Sequence, residues 1–344
     1  MSQTTKIQKT YNYLISGFIF LITWLFLYHR IFYKSNLSDI SDTISGLLLK
    51  PGVKVKFVIV FLLIFVNWGI ETVKWRYLIR KIEYVPFFKS FSSILSGIAV
   101  STFIPNRVGE YFGRVFVLDK ASRIEGILIT LVGSLSQLLV TLIAGSFCFA
   151  IFIPRFLWHI ENLTGTFYYG LIVVIFFMDT VLLSFYFNID LLSSLKDKIF
   201  VRHLRKFRKF FIVFSYYNFS ELRRVLTLSL MRYMVFSAQY LILLRMFSVP
   251  VPFFDGVIII SIIFFIMTII PTIALTELGI RGTVAIYFFG VYFSKAHLMN
   301  ESVTIGILSA STLLWIINLA VPALVGSILI FRLHFFRKEE GSIR

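Results

Sequence analysis

The stretch VPFFKSFSSILSGIAVSTFIP, residues 85–105, returns as VPFFDGVIIISIIFFIMTIIP at residues 251–271. Val-Pro-Phe-Phe, fifteen residues and then Ile-Pro recur at an offset of 166. The residues after each copy match in kind. Glu110 and Arg114 come after Pro105, Glu277 and Arg281 come after Pro271, and each pair is spaced i, i+4 on one helix face. In a chain rich in Phe and Ile this spacing carries more weight than the identities, and it points to an internal duplication.

Working outward, hydrophobic residues make up 58% of the 344 and the mean hydropathy is +0.86, against the roughly 45–50% apolar share of soluble domains. Apolar stretches run at about residues 11–29, 57–79, 88–104, 125–153, 167–188, 222–247, 254–270, 276–293 and 303–331. The expectation is an all-α polytopic membrane protein, one integral membrane domain over residues 1–344, in the cell membrane, which is the cytoplasmic membrane if the source is bacterial. The first apolar stretch runs into HRIFYKSN, residues 29–36, without a small-residue cleavage site, so it reads as a retained helix. The formal charge of +17 lies in segments flanking the apolar stretches, where anionic headgroups attract Lys and Arg, so nucleic acid is not an expected partner. Cys148 is the one cysteine and the five histidines share no ligand spacing; no disulfide, metal site or cofactor is expected.

Three apolar stretches separate the two copies, so the second should lie upside down relative to the first. Repeat half 1 covers about residues 11–153 and half 2 about 167–331, each reading as two spans, a proline-broken hairpin and a final span, with a basic connection at 189–220. Each hairpin's first leg, about 17 residues, reaches about 25 Å against a hydrocarbon core of about 30 Å, so it is expected to turn back as a re-entrant segment. The basic connection contains LKDKIFVRHLRKFRKFF, residues 195–211, a pattern that suits either a helix on an anionic leaflet or a solvated basic loop. The Lys/Arg bias places this connection and the C-terminus in the cytoplasm. Residues 30–56 fall outside by helix counting despite Arg30, Lys34, Lys50, Lys54 and Lys56, and the other loops agree with that count.

The segment FIPNRVGEYFGRVF, residues 103–116, now raises a physical problem. Broken backbone in hydrocarbon must be buried in protein or line a wet cavity. Each ionised side chain at the bilayer centre costs about 2.5–3.5 kcal/mol, so Arg107, Glu110, Arg114, Glu277 and Arg281 facing lipid would cost on the order of 15 kcal/mol. They are expected to face each other or a polar cavity, with Pro105 and Pro271 as backbone breaks and Gly109 and Gly279 allowing close approach or unusual φ/ψ. The alternative is a pair of intrahelical Glu–Arg bridges that only pin the hairpins.

Elsewhere, Asp179 lies mid-helix and is expected to pair with a cation such as Arg232. Glu71, Lys74 and Arg76 read as a local bridge with snorkelling cations. Asn67, Gln137, Gln239 and Asn318 are expected to hydrogen-bond between helices.

PNRVGEYFGRVFVL and LTELGIRGTVAIYFFG resemble the paired signatures of the transmembrane, flippase-like region of lysylphosphatidylglycerol synthases, and KWRYL, residues 74–78, is similar to that family's basic-Trp-Arg segment. Pro105, Arg107, Gly109, Glu110 and Arg114 fit the first signature. The second fits at Leu278, Gly279 and Arg281 and departs on either side, where members commonly carry Gly at the Glu277 position and an acidic residue at the Gly282 position. The resemblance implies lipid handling between leaflets, and 344 residues leave no room for the soluble aminoacyltransferase, so the lipid would be made elsewhere.

The leading expectation is a transporter for a phospholipid or lipid-linked headgroup, transporter-like and not an enzyme. Its partner would be an anionic or modified membrane lipid, with Arg107, Glu110, Arg114, Glu277 and Arg281 as headgroup-binding candidates and no catalytic residue. Arginine suits this because its planar fork holds phosphate bidentately. The alternative is a membrane-embedded transferase with Glu110 as base, or an accessory protein to a lipid-modifying enzyme, in lipid or polyprenyl-linked glycan modification. No nucleotide-binding glycine loop or nucleophile–base pair supports the transferase.

Overall fold

The computed structural model describes residues 52–102, 104, 108–157, 165–189, 212–272, 274–294 and 298–332, together with positions 11, 13, 14, 17, 18, 20, 21, 24 and 25, all of these last helical. The helices in chain order are α1 Val53–Ile79, α2 Phe87–Ser101, α3 Gly109–Val115, α4 Arg123–Phe152, α5 Gly165–Phe187, α6 Phe219–Met246, α7 Phe253–Ile269, α8 Ala274–Ser294, α9 Glu301–Trp315 and α10 Val321–Leu329. A π-turn at Ile316–Ala320 joins α9 to α10, and another at Ile153–Leu157 prolongs α4. The described residues contain no strand, and five helical segments are long and apolar enough to cross a membrane. The chain is an all-α polytopic membrane protein. The basic stretch at 195–211 and the loop at 30–51 lie outside the described residues; Lys54 and Lys56 belong to the first turn of α1.

The duplication extends beyond the quoted stretch. Helices α1 and α6 begin at Val53 and Phe219, and α2 and α7 at Phe87 and Phe253, both pairs 166 residues apart. Each short leg starts on a proline of nearly the same geometry, Pro86 at φ −59°, ψ 154° and Pro252 at φ −60°, ψ 156°. A proline there supplies a fixed φ for the helix start, where its missing N–H has no intrahelical partner to lose. Packing agrees with the correspondence. The legs exchange partners, since α2 lies against α10, the last helix of the other half, and α7 lies against α4, while α1 and α6 pack together at the centre.

At 15 and 17 residues, α2 and α7 reach about 22 and 25 Å, short of a hydrocarbon core of about 30 Å. After α2 the chain turns and α3 runs back antiparallel along a seam of small residues. A Cβ on Gly109 would sit 2.7 Å from Ser101 Cα, and one on Gly113 would sit 2.4 Å from Gly97 Cα. The Ser93 hydroxyl donates to the Arg114 carbonyl at 2.6 Å. Ser93, Gly97 and Ser101 recur every fourth residue, the small-residue spacing that lets helix backbones meet where lipid offers no hydrophobic drive. On its other side α2 meets Gly326 of α10, where a Cβ would lie 1.9 Å from the Leu95 carbonyl oxygen.

Candidate functional site

Seven turns of apolar helix place Glu71 in the interior of α1, where it is buried. An anion there needs cations, and three elements supply them. Lys74, one turn on, lies 2.8 Å from one carboxylate oxygen; Arg114 of α3 donates to the other at 2.7 Å; Arg232 of α6 approaches at 3.5 Å. Arg114 also donates to Glu110 at 2.7 Å, closing the i, i+4 pair of the first signature. Lys74 donates onward to Ser229, which shares a hydrogen bond with Ser136 of α4. Arg232 reaches Gln137 of α4 at 3.3 Å and stacks 5.1 Å over the Trp68 ring. The first hairpin is thereby tied through Glu71 to the centre of the bundle.

Beside Arg232 opens a cavity of about 330 Å3. Its wall takes Asn67 and Trp68 from α1, Gln137 from α4, Tyr233 and Phe236 from α6, the end of α7, Glu277 and Arg281 from α8, and Trp315 and Asn318 from the junction of α9 with its π-turn. Arg281 donates to Glu277 at 2.6 Å, both buried, with its guanidinium 6.0 Å over Phe236. Asn67 donates to Asn318 at 2.9 Å across the wall. The π-turn bears on this wall, since it carries Asn318 and Leu319, and such turns recur at functional sites.

The structure thus separates the sequence candidates. Glu277 and Arg281 line the cavity; Arg114 and Glu110 do not, and touch it only through Glu71 and Arg232. Pro105 and Arg107 lie outside the described residues. Pro271 is exposed between the end of α7 at Ile269 and the start of α8 at Ala274, next to Ile270 in an extended conformation. Gly109 is pressed against Ser101, as close approach requires, whereas a Cβ on Gly279 would meet open space, and neither glycine has a positive φ. Gly279 is an ordinary helical residue.

Two smaller expectations change. Asp179 accepts a hydrogen bond from Ser146 at 2.6 Å, and Arg232 turns to Glu71 instead, because α6 packs closely on α1 and only lightly on α5. Lys74 does not snorkel; it is buried and paired inward. Asn67, Gln137, Gln239 and Asn318 do bond between helices, Gln239 through Val60 of α1. Reading the sequence missed Glu71 as the hub, and Trp68, Arg232 and Trp315 as cavity wall. The available signal was sign counting: with several cations at membrane depth, the lone acidic residue of α1 is a needed counter-ion, not a local ornament.

Chemically, the wall offers two guanidinium groups, two indole rings and three carboxamides inside an apolar bundle, and the guanidinium groups suit an oxyanion held bidentately. Comparison with curated proteins and with solved structures gives no match. The family model described as the lysylphosphatidylglycerol synthase TM region matches residues 12–299, and with the paired hairpins, the Glu–Arg signatures and the helical architecture in place, the chain belongs to that family of membrane proteins linked to lipid.

Proposed function

We propose that the protein moves a phosphate-bearing lipid headgroup between leaflets through the cavity beside Arg232 and Arg281. One observation carries the reading: the two signature Glu–Arg pairs converge on one polar cavity, the second directly and the first through Glu71 and Arg232. A pair of pins would have no need of a shared cavity. Arg281 would exchange Glu277 for a phosphate oxygen, and the Glu71 network would hold Arg232 opposite while the acyl chains stay in lipid. Buried ion pairs are nearly balanced against their desolvation, so an incoming anion can replace one partner at small net cost.

Reconstitution into liposomes with fluorescent lipids of differing headgroup, scored by dithionite quenching, tests this. Protein-dependent exchange of a phospholipid, lost in Arg281→Gln at unchanged thermal stability, is the expected result. Exchange no faster than in empty liposomes for every phospholipid tried would overturn it.

A further inference from the structure

Helices α1 and α6 run antiparallel in one register, with Trp68 under Arg232, Lys74 on Ser229 and Lys81 on Glu221. Where α1 ends and α6 begins, the partly buried Tyr77 of α1 carries two guanidinium groups, Arg80 from its own helix at 4.0 Å from the ring centroid and Arg224 from α6 at 4.9 Å. Both arginines are exposed, and neither has a carboxylate at ion-pair distance among the described residues. Glu221, Glu83 and Asp119, at the same end, are committed elsewhere: to Lys81 at 2.7 Å, to three backbone N–H groups and to Lys89. Cation–π contact holds each guanidinium, but two like charges gathered on one ring favour an anion beside them.

From this pair toward the middle of the helices, the same faces are apolar and open. Val73 and Val66, four and eleven positions before Tyr77, and Met231, seven after Arg224, are exposed, and a Cβ on Gly69 would meet open space. Helix α4 covers the other side of the helix pair through Trp75–Thr130 and Ser136–Ser229, which leaves this face to lipid. We infer that Arg80, Tyr77 and Arg224 form a fixed lipid site, apart from the cavity, for a lipid carrying two phosphodiesters joined by a short bridge, one phosphate on each guanidinium and the acyl chains along the α1–α6 seam. Guanidinium forks take phosphate oxygens bidentately, and basic pockets between membrane helices are where such headgroups bind. A lipid with one phosphate leaves one guanidinium unanswered. On the orientation expected from the Lys/Arg bias, this end faces the cytoplasmic leaflet, whose surface is negative. Because α1 belongs to the first repeat and α6 to the second, a bisphosphate across Arg80 and Arg224 clasps the two halves together.

Thermal unfolding of the full chain in a neutral detergent, titrated with cardiolipin, tests this separately from transport. Cardiolipin should raise the melting temperature with half-saturation about ten-fold below that of phosphatidylglycerol at equal phosphate, with phosphatidylcholine weaker still. The preference is read within each variant, as the difference between cardiolipin and phosphatidylcholine. Arg80→Gln combined with Arg224→Gln should abolish it, whereas Tyr77→Phe, which keeps the ring, and Arg281→Gln in the cavity should retain it. Phosphatidylglycerol matching cardiolipin would overturn the inference, as would a preference that survives the double variant, since that assigns the effect to the basic surface at large. Loss in Arg281→Gln with the double variant unaffected would overturn it in favour of the cavity. Inorganic pyrophosphate giving the full shift would overturn the lipid part and leave a free diphosphate site. A cardiolipin shift of the expected pattern without liposome exchange supports the inference and removes only the transport reading.

Discussion

Arg114 of the short helix α3 and Glu71 of the long helix α1 stand 2.7 Å apart, both buried, 43 positions apart in sequence. Neither is explained by its own segment. Together they tie the first hairpin to the helix that also forms the cavity wall.

Glu71→Gln should therefore be the most damaging single change in the network. It leaves two buried cations, Lys74 and Arg114, and the half-buried Arg232 facing a neutral amide, and removing one partner of a buried pair costs about 3–5 kcal/mol. Glu110→Gln should cost less, since Glu110 pairs with Arg114 alone in this network and its side chain is 17% exposed. Melting temperatures in detergent check the order, and equal losses would show that Glu71 is not the hub.

Replacing Glu110 and Arg114 together, by Gln and Met, should leave a folded protein because Glu71 keeps Lys74 and Arg232. If the first hairpin contributes to lipid handling through Arg232, exchange in liposomes should fall several-fold at normal stability. A stable and fully active double variant would reduce this pair to a pin.

The glycines should divide sharply. Gly113→Ala and Gly326→Ala press a methyl into backbone at 2.4 and 1.9 Å, and overpacking of this kind costs about 1–3 kcal/mol or more. Gly279→Ala meets nothing, and helix propensity favours it by up to about 1 kcal/mol. Thermal stability of the three variants measures the split.

Glu83, in the loop between α1 and α2, accepts backbone N–H groups from Asp119, Lys120 and Ala121 at 3.0, 2.9 and 2.8 Å. Partial burial alone would raise its pKa, but these three donors outweigh that and hold it below the ordinary glutamate value of 4.5. A depressed folded pKa means the stabilisation is complete above the unfolded value and is lost as pH falls through the folded one. Stability should decline below about pH 4.5, and Glu83→Gln should flatten that part of the profile; an unchanged acid limb would show that the clamp does not contribute.

Pro86→Cys and Pro252→Cys should react with an impermeant thiol reagent from opposite sides of the membrane, as an inverted repeat requires. Both positions are exposed, and the native Cys148 is buried. Labelling from one side would end the inverted arrangement.

Much was legible in the residues alone. Membrane depth forces every backbone polar group into helix and every charge toward a partner, so apolar length, proline position and i, i+4 charge pairs determine the helices, the two broken legs and the signature pairs. The offset of 166 that marks Val-Pro-Phe-Phe also sets the starts of α1 and α6. Which charge meets which is settled by how the helices pack. The exchange of α2 onto α10 and α7 onto α4, and the pairing of α1 with α6, bring Glu71 to Arg114 and Arg232 and leave Asp179 to Ser146. Local spacing sees one turn of helix, about 5 Å; a counter-ion in hydrocarbon can come from any helix that packs within reach, and that choice belongs to the bundle.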